Sequence, residues 1–129
     1  MHKGFLQLAT LLGMLSVILG AFAAHALKEK VSVTALATFE TGVRYQFYHV
    51  FALLACGILY KEFPTESIIW SGRMFIVGTI LFSGSLYVLT FIQSSGYSNF
   101  KWIGAITPFG GLSFIAGWIL LLITFMRKA

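Results

Sequence analysis

From Gly4 to Ala24 the chain runs for 21 residues without a charged side chain. Coiled as a helix at ~1.5 Å per residue, such a run reaches across a ~30 Å hydrocarbon core. It must be hidden either in a bilayer or inside a large protein, and a 129-residue chain is too short for the second. The rest of the sequence follows suit. It is 58% hydrophobic and 10% charged, where soluble domains carry about 25% charged residues, and its mean hydropathy is +0.88. The expectation is an all-α, integral membrane four-helix bundle forming one domain over residues 1–129, with the lipid bilayer as its principal partner. The formal charge of +5 is spread along the chain. It therefore reads as cations flanking membrane spans, with no nucleic-acid patch.

Four spans are expected, at about residues 4–26, 36–60, 68–92 and 102–126. The end of the first, Ala21-Phe22-Ala23-Ala24-His25-Ala26, imitates a signal-peptide cleavage site. The apolar run is longer than a usual signal core, so a retained span is expected. Its small residues Ser16, Gly20 and Ala24 recur at every fourth position and offer a face for close helix contact. The second span is the awkward one. Its strictly apolar part, Phe47 to Tyr60, is short for a crossing, so the helix must carry Gly42 to Gln46 into the membrane or its headgroup zone. Ser32 or Thr34 is a candidate N-cap for this helix, and Thr65 or Ser67 for the third. Residues 93–101, rich in Ser, Gly and Asn, make the last loop. In the fourth span, Thr107 caps a helix beginning at Pro108, or the span is kinked there.

Counted by side, Lys3, Lys61, Arg73, Arg127 and Lys128 face Lys28, Lys30, Arg44 and Lys101 across the membrane. The excess of one cation places both termini in the cytoplasm. Trp70, Trp102, Tyr60 and Tyr97 fall near span ends, as an aromatic belt does.

Polar side chains concentrate in the second helix. Glu40 and Arg44 have the favourable spacing and order for a helical ion pair. Near hydrocarbon, pairing or snorkelling becomes close to obligatory. Tyr45, Gln46 and His49 follow. A neutral His49 bonded to Gln46, a tyrosine or a neighbouring helix is the plain reading, since bundles use polar side chains as glue. The sharper one is a ligand or proton-relay role. His25, at the end of the first span, lies toward the same membrane face if the first two helices are antiparallel. Two histidines and a carboxylate suit a divalent metal, and two histidines suit haem iron. No metal-binding spacing is present, and no cofactor is expected. The single cysteine, Cys56, excludes an internal disulfide. Ser83-Gly84-Ser85, Pro108, Gly110-Gly111 and Ser113-x-x-x-Gly117, together with Gly20, read as helix-packing positions. Gly110-Gly111 after Thr107-Pro108 leaves a broken, ligand-binding helix as the alternative. The chain has no aspartate and no nucleophile elbow or phosphate loop, so no enzyme is expected.

The segments Gly20-Ala21-Phe22-Ala23-Ala24-His25-Ala26-Leu27, Phe39-Glu40, Tyr45-Gln46-Phe47-Tyr48-His49, Phe82-Ser83-Gly84-Ser85-Leu86-Tyr87, Gly104-Ala105-Ile106-Thr107-Pro108-Phe109-Gly110-Gly111 and Gly117-Trp118 together resemble a family. It is the small membrane proteins of domain of unknown function 423, or uncharacterised protein family 0382, to which metazoan transmembrane protein 256 is similar. Ala23 departs from the family's usual Gly. The resemblance implies a four-helix, multi-pass cell-membrane protein without an established reaction. It implies that His25, Glu40, Tyr45, Gln46 and His49 belong to the family signature, whereas Arg44 does not.

Three functions compete on these grounds. The first is a non-enzymatic structural or accessory membrane protein with a polar cluster between helices 1 and 2, acting alone, as a homo-oligomer or with a membrane-protein partner. The second is a small oligomeric transporter or channel titrating Glu40 and His49. The third is a haem, metal or quinone protein using His25 and His49.

Overall fold

A computed structural model describes residues 1–96 and 101–127. Four helical rods fold back on one another. The first is α1 (Lys3–His25) and the second α2 (Val33–Leu59). The third joins α3 (Glu66–Gly78) to α4 (Gly84–Ser95) through one π turn at Thr79–Ser83. The fourth is α5 (Thr107–Met126). Short 3-10 segments at Leu27–Glu29 and Lys101–Ala105 lead into α2 and α5. The described residues contain no strand.

The helix ends follow local chemistry. Ser32 accepts the Ala35 N–H at 3.1 Å and caps α2; Thr65 accepts the Ile68 N–H at 3.4 Å and caps α3. Of the alternatives Ser32 or Thr34 and Thr65 or Ser67, the first of each pair is used, so α2 begins three residues before the expected 36. His2 caps α1 through Nδ1, which accepts the Phe5 N–H. Gly96 ends α4 at φ 74°, a left-handed conformation that glycine adopts without a Cβ penalty. Pro108 stands in the first turn of α5, where its missing N–H costs nothing. Thr107 is not the cap. Its hydroxyl donates to Ser85 Oγ at 2.6 Å, because Ser85 has already given its proton to the Phe82 carbonyl.

Contacts fix the order of the rods. α1 runs antiparallel to α2, with Leu6 against Gly57, Gly13 against Val50, and Gly20 against Val43. α2 runs antiparallel to the third rod: Ala35 faces Thr90, Gly42 faces Ser83, and His49 faces Phe75. The third rod and α5 pair through Phe82 with Gly110, Gly78 with Phe114, and Phe75 with Gly117. Phe5 of α1 also covers Gly72 of α3. The termini and the turn at 60–65 therefore share one end of the bundle. One core cluster spans Phe5, Ala9, Leu53, Cys56, Ile68, Phe75, Phe114 and Leu121, and a smaller one joins Ala23, Leu27 and Phe39.

Three helical segments, Lys3–Glu29, Glu66–Ser95 and Trp102–Met126, are long and apolar enough to cross a membrane. α2 is not among them. It is 27 residues long, but it carries the polar residues, and α1 and the third rod pack along its inner side. The small face of α1 also differs from the expected one: Ser16 and Ala23 are buried, whereas Ala24 is exposed.

Among the glycines expected to pack helices, Gly110 and Gly117 do so. A Cβ on Gly110 would overlap the Phe82 backbone, and one on Gly117 would stand 2.6 Å from the Phe75 ring. Gly20 and Gly111 are in ordinary contact, and Gly84 has nothing within 4 Å of where a Cβ would stand. Gly84 is thus not a close-packing position, although its neighbours Ser83 and Ser85 are buried. Four tight glycines were not singled out by sequence: Gly42 against Tyr87, Gly57 against Leu6, Gly72 against Phe5, and Gly78 against Phe114. Trp70 and Trp102 are exposed near rod ends, with the Arg73 guanidinium 4.8 Å from the Trp70 ring. Tyr97 and Lys128 lie outside the described residues.

Candidate functional site

The six polar residues of interest do not form one site. His25, Glu40 and Arg44 are exposed, Tyr45 is 38% exposed, and Gln46 and His49 are buried at 4% and 5%. Glu40 and His49 are nine residues apart on one helix, which is two and a half turns. They therefore point to opposite faces and are displaced by about 13 Å along the axis. His49 meets neither Glu40 nor His25. Among the described residues no group of three or more His, Cys, Asp or Glu is placed to hold a metal ion.

Gln46 is instead the junction of three helices. Its Nε2 donates to Ser16 Oγ at 2.9 Å and to the Leu12 carbonyl at 3.2 Å, both on α1. Its Oε1 accepts from the Tyr87 hydroxyl of α4 at 2.7 Å. Ser16 in turn donates to the Leu12 carbonyl at 2.7 Å. These bonds fix the orientation of the amide, since only its NH₂ side donates. One turn earlier, Ser83 donates to the Gly42 carbonyl at 2.6 Å. Gly42 has no side chain to keep the Tyr87 ring away: a Cβ there would be 2.8 Å from it. The close approach of α4 to α2 and the reach of Tyr87 to Gln46 thus depend on the same glycine.

His49, three residues further on and about 60° round the helix, faces α5. Its Nδ1 lies 2.7 Å from the Tyr45 carbonyl, and its Nε2 accepts the Trp118 indole N–H at 3.1 Å. A carbonyl only accepts and an indole N–H only donates, so the ring is the neutral Nδ1–H tautomer. The imidazole also stacks on Phe114, with centroids 3.5 Å apart and planes 7° from parallel, and touches the ring of Phe75. Both nitrogens are occupied, so a metal or haem iron would have to displace Trp118 or break the bond to Tyr45. Tyr45 itself packs on Phe82 and Tyr48.

Smaller fasteners repeat the pattern. Ser71 donates to the Gly117 carbonyl at 2.7 Å, and Cys56 lies against Ser71 Oγ at 3.6 Å. Ser113 donates to the Met74 carbonyl at 2.7 Å. Among the described residues every buried side-chain nitrogen and oxygen has a partner. Sequence reasoning missed Ser16, Tyr87 and Trp118 as the partners of Gln46 and His49. The Gly-Ser-Leu-Tyr and Gly-Trp pairs were visible, but nothing in their spacing says which helix they face.

Residues 19–111 match the family described as "Protein of unknown function (DUF423)". A UPF0382 membrane protein of Staphylococcus haemolyticus is 40% identical over 95% of this chain and 94% of its own length. UPF0382 membrane protein YwdK of Bacillus subtilis is 36% identical over 97% and 98%. UPF0382 inner membrane protein YgdD of Escherichia coli K12 is 35% identical over 92% and 86%. No solved structure matches. With the family profile covering most of the chain and these relatives most of both lengths, the chain belongs to the DUF423 family, the UPF0382 membrane proteins.

Proposed function

We propose that this chain is a four-span protein of the cell membrane with a non-enzymatic, structural or accessory role, in which the polar residues of α2 fasten the bundle. The observation that carries the reading is Gln46, whose amide is bonded at both ends, to α1 and to α4. Hydrocarbon supplies no hydrophobic drive between helices, so small residues and side-chain hydrogen bonds hold them together. Gln46, Ser83, Ser71 and Ser113 each give or take such a bond across a helix pair. A helix of 27 residues extends about 40 Å, enough for α2 to cross with Gln46 and His49 sheltered by its neighbours. The E. coli relative is named an inner membrane protein, and the same kind of membrane is proposed here. The cation count along the chain favours cytoplasmic termini.

Gln46→Leu tests the reading. It strands the Tyr87 hydroxyl in a dry interior, so stability in a detergent unfolding titration should fall by about 1–3 kcal/mol with helicity retained below the transition. A Gln46 or His49 variant that keeps full stability yet loses a cellular phenotype would count against a fastening role and favour a chemical one.

A further inference from the structure

The outward face of α2 carries two charged residues at the head of an otherwise aromatic and aliphatic stripe. Glu40, Arg44, Tyr48, Phe51 and Ile58 are all exposed; Tyr48 is 54%, Phe51 60% and Ile58 53% accessible. Their spacing of three, four or seven residues places them along one side of the helix, opposite buried Gln46. Val43 lies beside Gly20, so Arg44 is about five residues, roughly 7 Å, inside the polar end of α1 at His25. Among the described residues, neither Glu40 nor Arg44 is joined to a partner side chain, and both are exposed. A lone guanidinium inside hydrocarbon is costly even on lenient scales.

We infer that this face of α2 is the interface of a parallel homodimer, in which Arg44 of each copy pairs with Glu40 of the other. Charge complementarity selects a second copy as the occupant. Two chains inserted with the same orientation are related by a twofold axis along the membrane normal, which brings the same stripe from each into register. Helical side chains lean toward the N-terminus of their own helix, so Arg44 reaches back toward the level of Glu40. Each copy supplies one acid and one base, and two symmetric ion pairs close. Tyr48, Phe51 and Ile58 continue the contact toward the other leaflet. The inference rests on α2 crossing the membrane.

The test is disulfide cross-linking in native membranes. Phe51→Cys should give an oxidised dimer. The parent chain, whose Cys56 is buried, and Met14→Cys on the outer face of α1 should not. In the Phe51→Cys background, Arg44→Glu or Glu40→Arg alone should lower the dimer yield on the order of tenfold, the equivalent of ~1.4 kcal/mol. Co-expressing the two single variants should restore it, because the mixed dimer regains both pairs, and the double exchange Glu40→Arg with Arg44→Glu should restore it in one chain. Absence of a Phe51→Cys dimer, or single variants that co-expression does not rescue, would overturn the dimer and leave Arg44 snorkelling or paired with its own Glu40. Maleimide labelling from water separates the two premises. Tyr48→Cys labelled freely in intact membranes would mean that α2 does not span, whereas protection there without cross-linking would refute the dimer alone.

Discussion

Gly110→Ala should destabilise the bundle by about 3 kcal/mol or more, whereas Gly84→Ala should be neutral or stabilise it by up to ~1 kcal/mol. The two glycines look alike in sequence, each beside a serine or a second glycine in an apolar run. The difference lies in what a methyl group would strike. At Gly110 it would overlap the backbone nitrogen and Cα of Phe82, inside the π turn at Thr79–Ser83. Backbone cannot rotate aside as a side chain does, so α5 would have to move off the third rod. That shift would strain the Thr107–Ser85 and Ser113–Met74 bonds on either side. At Gly84 a methyl group meets nothing within 4 Å, and only the better helix propensity of alanine is felt. Gly78→Ala and Gly117→Ala should fall between, because they press on the rings of Phe114 and Phe75, which have some freedom to tilt. A detergent unfolding titration of the four variants gives the order. Equal effects at Gly110 and Gly84 would mean that α5 does not approach the π turn as described.

His49→Ala should cost about 3–5 kcal/mol, the range for removing a buried ring from a packed core. The loss has three parts: the stack on Phe114, the contact with Phe75, and the acceptor for the Trp118 indole. His49→Phe separates them. It keeps the stacking and leaves the indole N–H without its acceptor, so its cost should be only ~1–2 kcal/mol. If His49→Phe were as damaging as His49→Ala, the nitrogens rather than the ring would be the important part. A relay or ligand role would then regain ground.

These residues also show how far the sequence could be read. Apolar runs and polar breaks placed all four rods, because hydrophobic length and charge are local properties of the chain. Ser32 and Thr65 were legible as caps for the same reason. Gln46 and His49 stood out as expensive groups in a membrane helix, but their partners did not. Trp118 is 69 residues from His49, and Tyr87 is 41 from Gln46, and no spacing rule spans such distances. His25, Glu40 and His49 looked like neighbours because the first two helices are antiparallel. Helical phase decides otherwise: His49 turns inward to α5, whereas Glu40 and His25 are exposed. The π turn carries no proline or glycine within Thr79–Ser83 to announce it. The glycines at 42, 57, 72 and 78 were hidden because each is defined by the large side chain it accepts from another helix.

If α2's polar residues fasten it to its neighbouring helices, a double-mutant cycle between Gln46 of α2 and Tyr87 of α4 shows it most directly. Gln46→Leu, Tyr87→Phe and the double variant would be compared with the parent by detergent unfolding. A direct 2.7 Å bond in a buried interior predicts that the double variant is less damaged than the two single losses together, by about 0.6–1.7 kcal/mol. Additive losses, or single variants as stable as the parent, would contradict it.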